Sequence, residues 1–262
     1  MGRRVYVGVG KGQDVEIRRA FQHCAEEAWG VVVVIDVIRA FSVAAYTFGE
    51  GARELWLVRE VEDARALRER EPEALLAGEM RGGLIPGFDF NNSPSQMALA
   101  DVRGRMLIQR TGAGTRGAVG AANATHVLPC ALVNARATAD YARKLALAGD
   151  GNVTLFPTCS QDDPGWPDEP TEDDVCADYV EALLLGRSDA MGMLERGLTR
   201  LRARGRFGIF AGDADFPAED EPAVLAVDRF AFAMEGRREQ AGGVEYVRVR
   251  RVDVGEYMHE DS

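Results

Sequence analysis

Five consecutive β-branched residues, Val31 to Ile35, run directly into Asp36, and this stretch limits what the chain can fold into more than any other. A run this apolar does not suit a surface strand, and it is far too short to cross a membrane. It therefore predicts a central strand buried on both faces. Asp36 then falls at the carboxyl edge of that strand, where open α/β sheets place their ligands. Arg39 follows three residues later, about one helical turn on. Two readings of Asp36 stand at this point. It caps a helix over Val37–Phe48 with Arg39 as an internal partner, or it is a functional carboxylate in a crevice.

The rest of the chain alternates in kind. Apolar runs predict strands over 55–58, 74–77, 106–108, 126–129, 153–156 and 244–252. Helical patterns lie over 40–48, 61–70, 116–122, 134–148, 174–185, 188–204 and 222–232. Such alternation predicts a three-layer α/β/α fold around a largely parallel or mixed sheet. At 262 residues the whole chain fits a single α/β domain, with residues 1–28 and 186–262 expected as peripheral additions to its core. Within the first of these, Tyr6–Gly8 reads as a short strand and Arg18–Ala28 as a helix.

Lys and Arg number 31 against 42 for Asp and Glu, a formal charge of -11. That balance argues against nucleic acid or an anionic membrane surface as the main partner. A local ring of arginines can still hold a small anion. No run approaches the roughly 20 apolar residues of a transmembrane helix, and the opening MGRRVYVGVGKGQD lacks the apolar centre of a signal peptide. Cys24, Cys130, Cys159 and Cys176 are widely spaced, as in a cytoplasmic protein with reduced thiols. A homodimer is the default expectation for a soluble enzyme.

Three loops carry chemistry. The first, GEMRGGLIPGFDFNNSP from Gly78, is long, glycine-rich and polar, features more often functional than accidental. It ends at Ser93-Pro94, where Ser93 is an N-cap and Pro94 takes the first helical position. The second, Gln109-Arg110-Thr111-Gly112-Ala113-Gly114-Thr115-Arg116, joins a strand to a helix. Its backbone N–H groups can cradle a phosphate or another oxyanion, or the loop is a plain tight turn. It is not a P-loop, since G-K-[ST] is absent. The third is the acidic, proline-rich stretch from Thr158 to Thr171. There Glu172, Asp173 and Asp174 either complement a helix dipole or hold a hard cation such as Mg²⁺. His126, alone at a strand start, reads as packing.

Four stretches together resemble the 2-phosphosulfolactate phosphatase family of coenzyme M biosynthesis and its relatives. They are Val33–Ala40, Gly78–Glu79 through Gly87–Asp89 to Asn92–Pro94, Gly114–Arg116, and Asn134–Ala135 with Glu172–Asp173 and Cys176–Ala177. The resemblance implies an α/β/α fold and Mg²⁺-dependent hydrolysis of a phosphate monoester on a small anionic metabolite, 2-phosphosulfolactate giving sulfolactate and phosphate. It makes Asp36, Arg39, Glu79, Glu172 and Asp173 the catalytic candidates, with Asp36, Glu79, Glu172 and Asp173 as metal ligands and Asp89 as a further acid. Arg81, Asn92, Ser93, Gly114, Thr115, Arg116 and Asn134 become substrate-binding candidates. Arginine suits that task because its planar fork binds phosphate or sulfonate oxygens in pairs. Where the family has Asn-Gly-Thr, this chain has Ala113-Gly114-Thr115, and Arg110 introduces a new charge. The Ala113 change favours the alternative of a non-catalytic binder of a phosphorylated metabolite or protein partner on the same fold.

Overall fold

A computed structural model describes residues 15–160, 162 and 169–257. The strand expected over Tyr6–Gly8 lies outside the described residues. In chain order the elements are β1 Glu16–Arg19, β2 Trp29–Ile35, α1 Ala40–Gly49, β3 Glu54–Val58, α2 Val61–Arg70, β4 Leu75–Met80 and β5 Gly83–Leu84. Then come α3 Pro94–Met97, β6 Met106–Arg110, α4 Gly114–Gly120, β7 Asn123–Cys130, α5 Ala135–Ala148 and β8 Asn152–Pro157. Last are α6 Glu172–Leu184, α7 Ala190–Ala203, α8 Asp220–Val224, β9 Phe232–Ala241 and β10 Val244–Asp253. The fold is α/β, built on a mixed sheet in the order β1-β8-β2-β7-β9-β10-β3-β6-β4-β5.

β2 behaves as its composition requires. Val31 to Ile35 are each at most 3% exposed, and burying such side chains contributes roughly 1.5–3 kcal/mol apiece. Alternation divides them between two cores. Val31, Val33 and Ile35 pack with residues of α5, α6 and α7, including Ala142, Tyr179 and Leu194. Val32 and Val34 pack with Phe41 and Phe48 of α1 and with Leu55, Leu57 and Leu107 of β3 and β6. The opposite side of β3 and β6, through Trp56, Val58 and Ile108, meets Val61, Ala64 and Leu67 of α2. Both ends of the sheet thus turn one face toward a shared inner core, which brings the loops that follow β2 and β6 together.

Three expectations are corrected. Arg18–Ala28 is not a helix; β1 pairs with β8, and a 3₁₀ turn follows over Gln22–Glu27. The helix expected over 222–232 is only the short α8, and Phe232 begins a strand. Residues 232–253, expected at the periphery, form a hairpin in the middle of the sheet. Its antiparallel steps, β7 to β9, β9 to β10 and β10 to β3, join two parallel halves that run in opposite senses. The hairpin turns at Gly242-Gly243, both with positive φ (59° and 86°), as a two-residue turn demands. At Gly236 a β-carbon would stand 2.5 Å from Val247 Cγ1 and 3.2 Å from the Val127 carbonyl, so β9 can approach β7 only with glycine there. Among the described residues no helix is long and apolar enough to cross a membrane.

Candidate active site

Two acids meet at the carboxyl end of β2. Asp36 is 5% exposed and Asp173, in the first turn of α6, is 2% exposed. Asp36 Oδ1 accepts the Ala40 N–H (2.9 Å) at the first residue of α1, but the helix starts later than the capping reading required, with Arg39 in its N-cap position and paired to Asp220 instead of Asp36. Its Oδ2 lies 3.4 Å from Thr158 Oγ1, which is also 3.3 Å from Asp173 Oδ2. One hydroxyl proton can serve only one of these at a time. Asp173 further accepts the Val37 N–H at 2.8 Å and the Cys159 N–H at 3.1 Å. It therefore ties the start of α6 to the turn that carries Asp36.

Like charges crowd this pair. Burial pushes Asp36 up to about 6, the neighbouring carboxylates Glu172 and Glu79 push the same way, and the Ala40 and Gly114 amides oppose them. Asp173 is held well above the usual carboxylate range, first by burial and then by Asp36 and Glu172. The Cys159 thiol is raised for the same reasons and is no thiolate nucleophile. Desolvation together with like charge is the combination that marks functional acids.

The glycine loop closes one side. Gly112 donates its N–H to Glu79 Oε1 (2.5 Å) and Gly82 donates to Glu79 Oε2 (2.8 Å), while Arg110 holds the Glu79 carbonyl at 2.9 Å. The Gly114 amide faces Asp36. The loop amides expected to cradle a phosphate thus hold carboxylates in this structure. Thr115 is fully buried and exchanges hydrogen bonds with Thr111: its N–H donates to Thr111 Oγ1 and its hydroxyl accepts the Thr111 N–H. That stiffens the first turn of α4. Arg116, half-exposed, and Arg110 share Glu60 at 3.6 and 3.9 Å.

Other candidates stand differently from the expectation. Glu172 is gripped by Arg206, Nε to Oε2 at 2.5 Å and a terminal nitrogen to Oε1 at 2.6 Å. Arg39 is buried in an ion pair with Asp220 at 2.8 Å. Ser93 accepts the Gln96 N–H as the N-cap of α3, and its hydroxyl donates to Asp220 at 2.7 Å. Asn134 accepts the Ala131 N–H (2.9 Å) and donates to Thr138 (3.0 Å), which fastens the connection from β7 to α5. Asn92 is buried and donates its N–H to Asn91 Oδ1 at 2.7 Å. Arg81 is exposed, in the left-handed region at φ 55°. Asp89 belongs to another neighbourhood, where it accepts from the Leu76 N–H and from Arg68. The residues brought together are Asp36, Asp173, Glu172, Glu79 and the loop 112–114. Thr158, Arg206 and Asp220 were not expected. Only Thr158 left a signal, as the first polar residue after an apolar strand end.

A hard divalent cation suits part of this donor set. Asp36 and Asp173 offer two carboxylates flanking one hydroxyl, and their mutual repulsion is what a bound cation relieves. Glu172 and Glu79 are already engaged by Arg206 and by two amides, and among the described residues no group of three or more His, Cys, Asp or Glu side chains is assembled to hold a metal. Of the four acids put forward from the sequence, Asp36 and Asp173 flank one hydroxyl, while Glu79 and Glu172 would have to leave their present partners to join them.

The chain is similar over part of its length to several curated proteins. The chain is 39% identical over 154 residues to a probable 2-phosphosulfolactate phosphatase of Bacillus subtilis, covering 59% of this chain and 64% of that protein. It is 47% identical over 117 residues to the one named so in Deinococcus radiodurans, covering 44% and 49%. It is 43% identical over 117 residues to that of Thermus thermophilus, covering 44% and 48%. The chain thus spans about half to just under two thirds of the length of these curated relatives. Residues 18–197, well over half of the sequence, match the family described as 2-phosphosulpholactate phosphatase, and this chain belongs to that family.

Proposed function

We propose that the protein is a phosphoric monoester hydrolase that uses Mg²⁺ to cleave the phosphate ester of a small anionic metabolite, with 2-phosphosulfolactate as the substrate. The observation that carries this is the buried Asp36–Thr158–Asp173 arrangement, two like charges sharing one hydroxyl at a strand end. The names of the relatives point to the same chemistry and the same substrate.

Asp36 and Asp173 are the residues that would hold the cation. When bound, it supplies neutralisation of both carboxylates and polarises a phosphoryl oxygen. Phosphoryl transfer asks a protein mainly for positioning and charge compensation, and the chain's own groups meet that need. Asp36 is fixed by the Ala40 amide, and Asp173 by the Val37 and Cys159 amides. The rim arginines Arg110 and Arg116 offer positive charge to an anionic substituent, in competition with Glu60. Burial and mutual charge raise both acids, Asp36 to about 6, so a cation held between them would compete with protons.

The test is hydrolysis of an aryl phosphate and of 2-phosphosulfolactate, each with Mg²⁺ and with EDTA, by the wild type and by Asp36→Asn. Metal-dependent turnover lost in the variant is the expected result. Folded protein without turnover on either ester defeats the proposal. Retained affinity for a phosphorylated ligand would then leave the binding role.

A further inference from the structure

Arg39 lies three residues from Asp36, yet its surroundings are those of a joint. Its side chain is 2% exposed. One terminal nitrogen donates to Asp220 Oδ2 at 2.8 Å and to the Asp215 carbonyl at 2.6 Å. The other reaches the Gly82 carbonyl at 3.4 Å, and the guanidinium lies over the Phe216 ring, 4.1 Å from its centroid. Asp220 is fully buried. Its second oxygen accepts from the Ser93 hydroxyl (2.7 Å), the Ser95 hydroxyl (2.6 Å) and the Ser95 N–H (3.0 Å). Asp215 accepts from the Asn91 amide at 3.0 Å and from the Leu84 N–H at 3.3 Å.

Residues 213–220 therefore fasten three places at once. These are the turn between β2 and α1, which carries Asp36; the start of α3; and the turn between β4 and β5, whose Gly82 N–H holds the Glu79 carboxylate at 2.8 Å. A buried ion pair is poor value as stabilisation, because apolar residues of the same size often do as well. What it supplies that they cannot is a directed link between defined atoms. We infer that Asp220 is a positioning residue: acting through Arg39, it sets the Asp36 turn against the Glu79 turn, and Arg39 is the link between them. The inference rests on the phosphatase reading of the same site. Asp220 lies beyond the residues 18–197 that match the family, so the joint is made by a part of the chain outside that match.

The experiment compares wild type with Asp220→Asn, which keeps the shape and removes the charge. Steady-state kinetics with an aryl phosphate, calorimetric binding of inorganic phosphate and amide hydrogen exchange are read on each full chain. The expected result is a loss of about tenfold or more in kcat, from misplacement rather than lost contact. KM and phosphate affinity stay within about threefold of wild type in that case. Exchange speeds up together at residues 37–40 and 80–84. Arg39→Lys, which keeps the charge beside Asp220 but loses the planar fork that also reaches the Asp215 and Gly82 carbonyls, is expected to shift the same readouts in the same direction, and it decides the matter should Asp220→Asn not fold. A lower Tm with wild-type kcat and unchanged exchange at the two turns makes Asp220 merely structural and overturns the inference. So does a tenfold rise in KM with kcat intact, which would put Arg39 on the substrate. If wild type cleaves no phosphate ester, the phosphatase reading fails separately and exchange decides: joint acceleration of the two turns supports the link, and acceleration confined to 213–220 overturns it.

Discussion

Gly114 stands so close to Asp36 that a β-carbon there would lie 2.6 Å from the carboxylate Oδ2, and equally close to the Ala40 β-carbon. What this glycine provides is room. Gly114→Ala must move Asp36, α1 or the first turn of α4, at a cost of about 1–3 kcal/mol for overpacking. Turnover is expected to fall about tenfold or more, read as initial rates beside a thermal melt. An alanine variant with unchanged rate and Tm would show that the loop and Asp36 do not touch.

Asp36 also sets a pH dependence of stability. Its folded value of about 6 lies above the ordinary 3.8, so the native state holds the proton more tightly than the unfolded chain. The associated stability is fully present below about pH 4 and is lost as pH rises through about 6, a total of up to about 3 kcal/mol. Asp36→Asn is thus expected to be more stable than wild type at pH 7.5, to converge with it near pH 4, and to be inactive. Denaturant melts at the two pH values check this. A variant less stable at both would remove the electrostatic account.

A cation held by Asp36 and Asp173 would relieve the same repulsion. Millimolar Mg²⁺ is expected to raise the Tm of the wild type near neutral pH, as any ligand of the native state does, and to leave Asp36→Asn unmoved. Equal shifts in both proteins would place the cation elsewhere.

Arg206 holds Glu172, which is 1% exposed, through two hydrogen bonds, while the arginine itself stays about one-third exposed. Arg206→Met leaves that carboxylate buried and unpaired. The expected cost is about 2–4 kcal/mol, toward the lower part of the range for broken buried pairs because water reaches the arginine side. Adding Glu172→Gln should recover much of it, and the non-additivity of the cycle measures the pair. Additive effects would mean that the two residues do not interact.

Legibility varied with how local the cause was. β2 could be read because burial on both faces leaves an unbroken apolar run. Ser93 could be read as a cap because capping is settled within three residues, and its side chain accepts the Gln96 N–H as expected, as Thr171 accepts the Asp174 N–H at the start of α6. β9 could not, since Arg237, Arg238 and Glu239 make its second half look like surface, although Gly242-Gly243 was a hairpin signal. At the site, Asp36 was marked by its place at a strand end, whereas Asp173 stood among three acids at a helix start and was singled out only by the family resemblance. Arg206 and Asp220 were marked by neither, for they sit 34 and 181 residues from their partners in stretches composed like solvent-facing connectors.

The central hairpin has a consequence for how the molecule is made. During synthesis β7 and β3 emerge long before residues 232–253, and until those residues leave the ribosome each half of the sheet carries an open inner edge. Joining them means closing loops of more than a hundred residues, the kind of contact that slows folding and leaves unpaired strand edges exposed meanwhile. The strands that bring the two halves into one sheet are thus translated after both halves. A nascent chain stalled before Phe232 would hold all of the candidate active-site residues named above and neither of the strands that bridge the two halves.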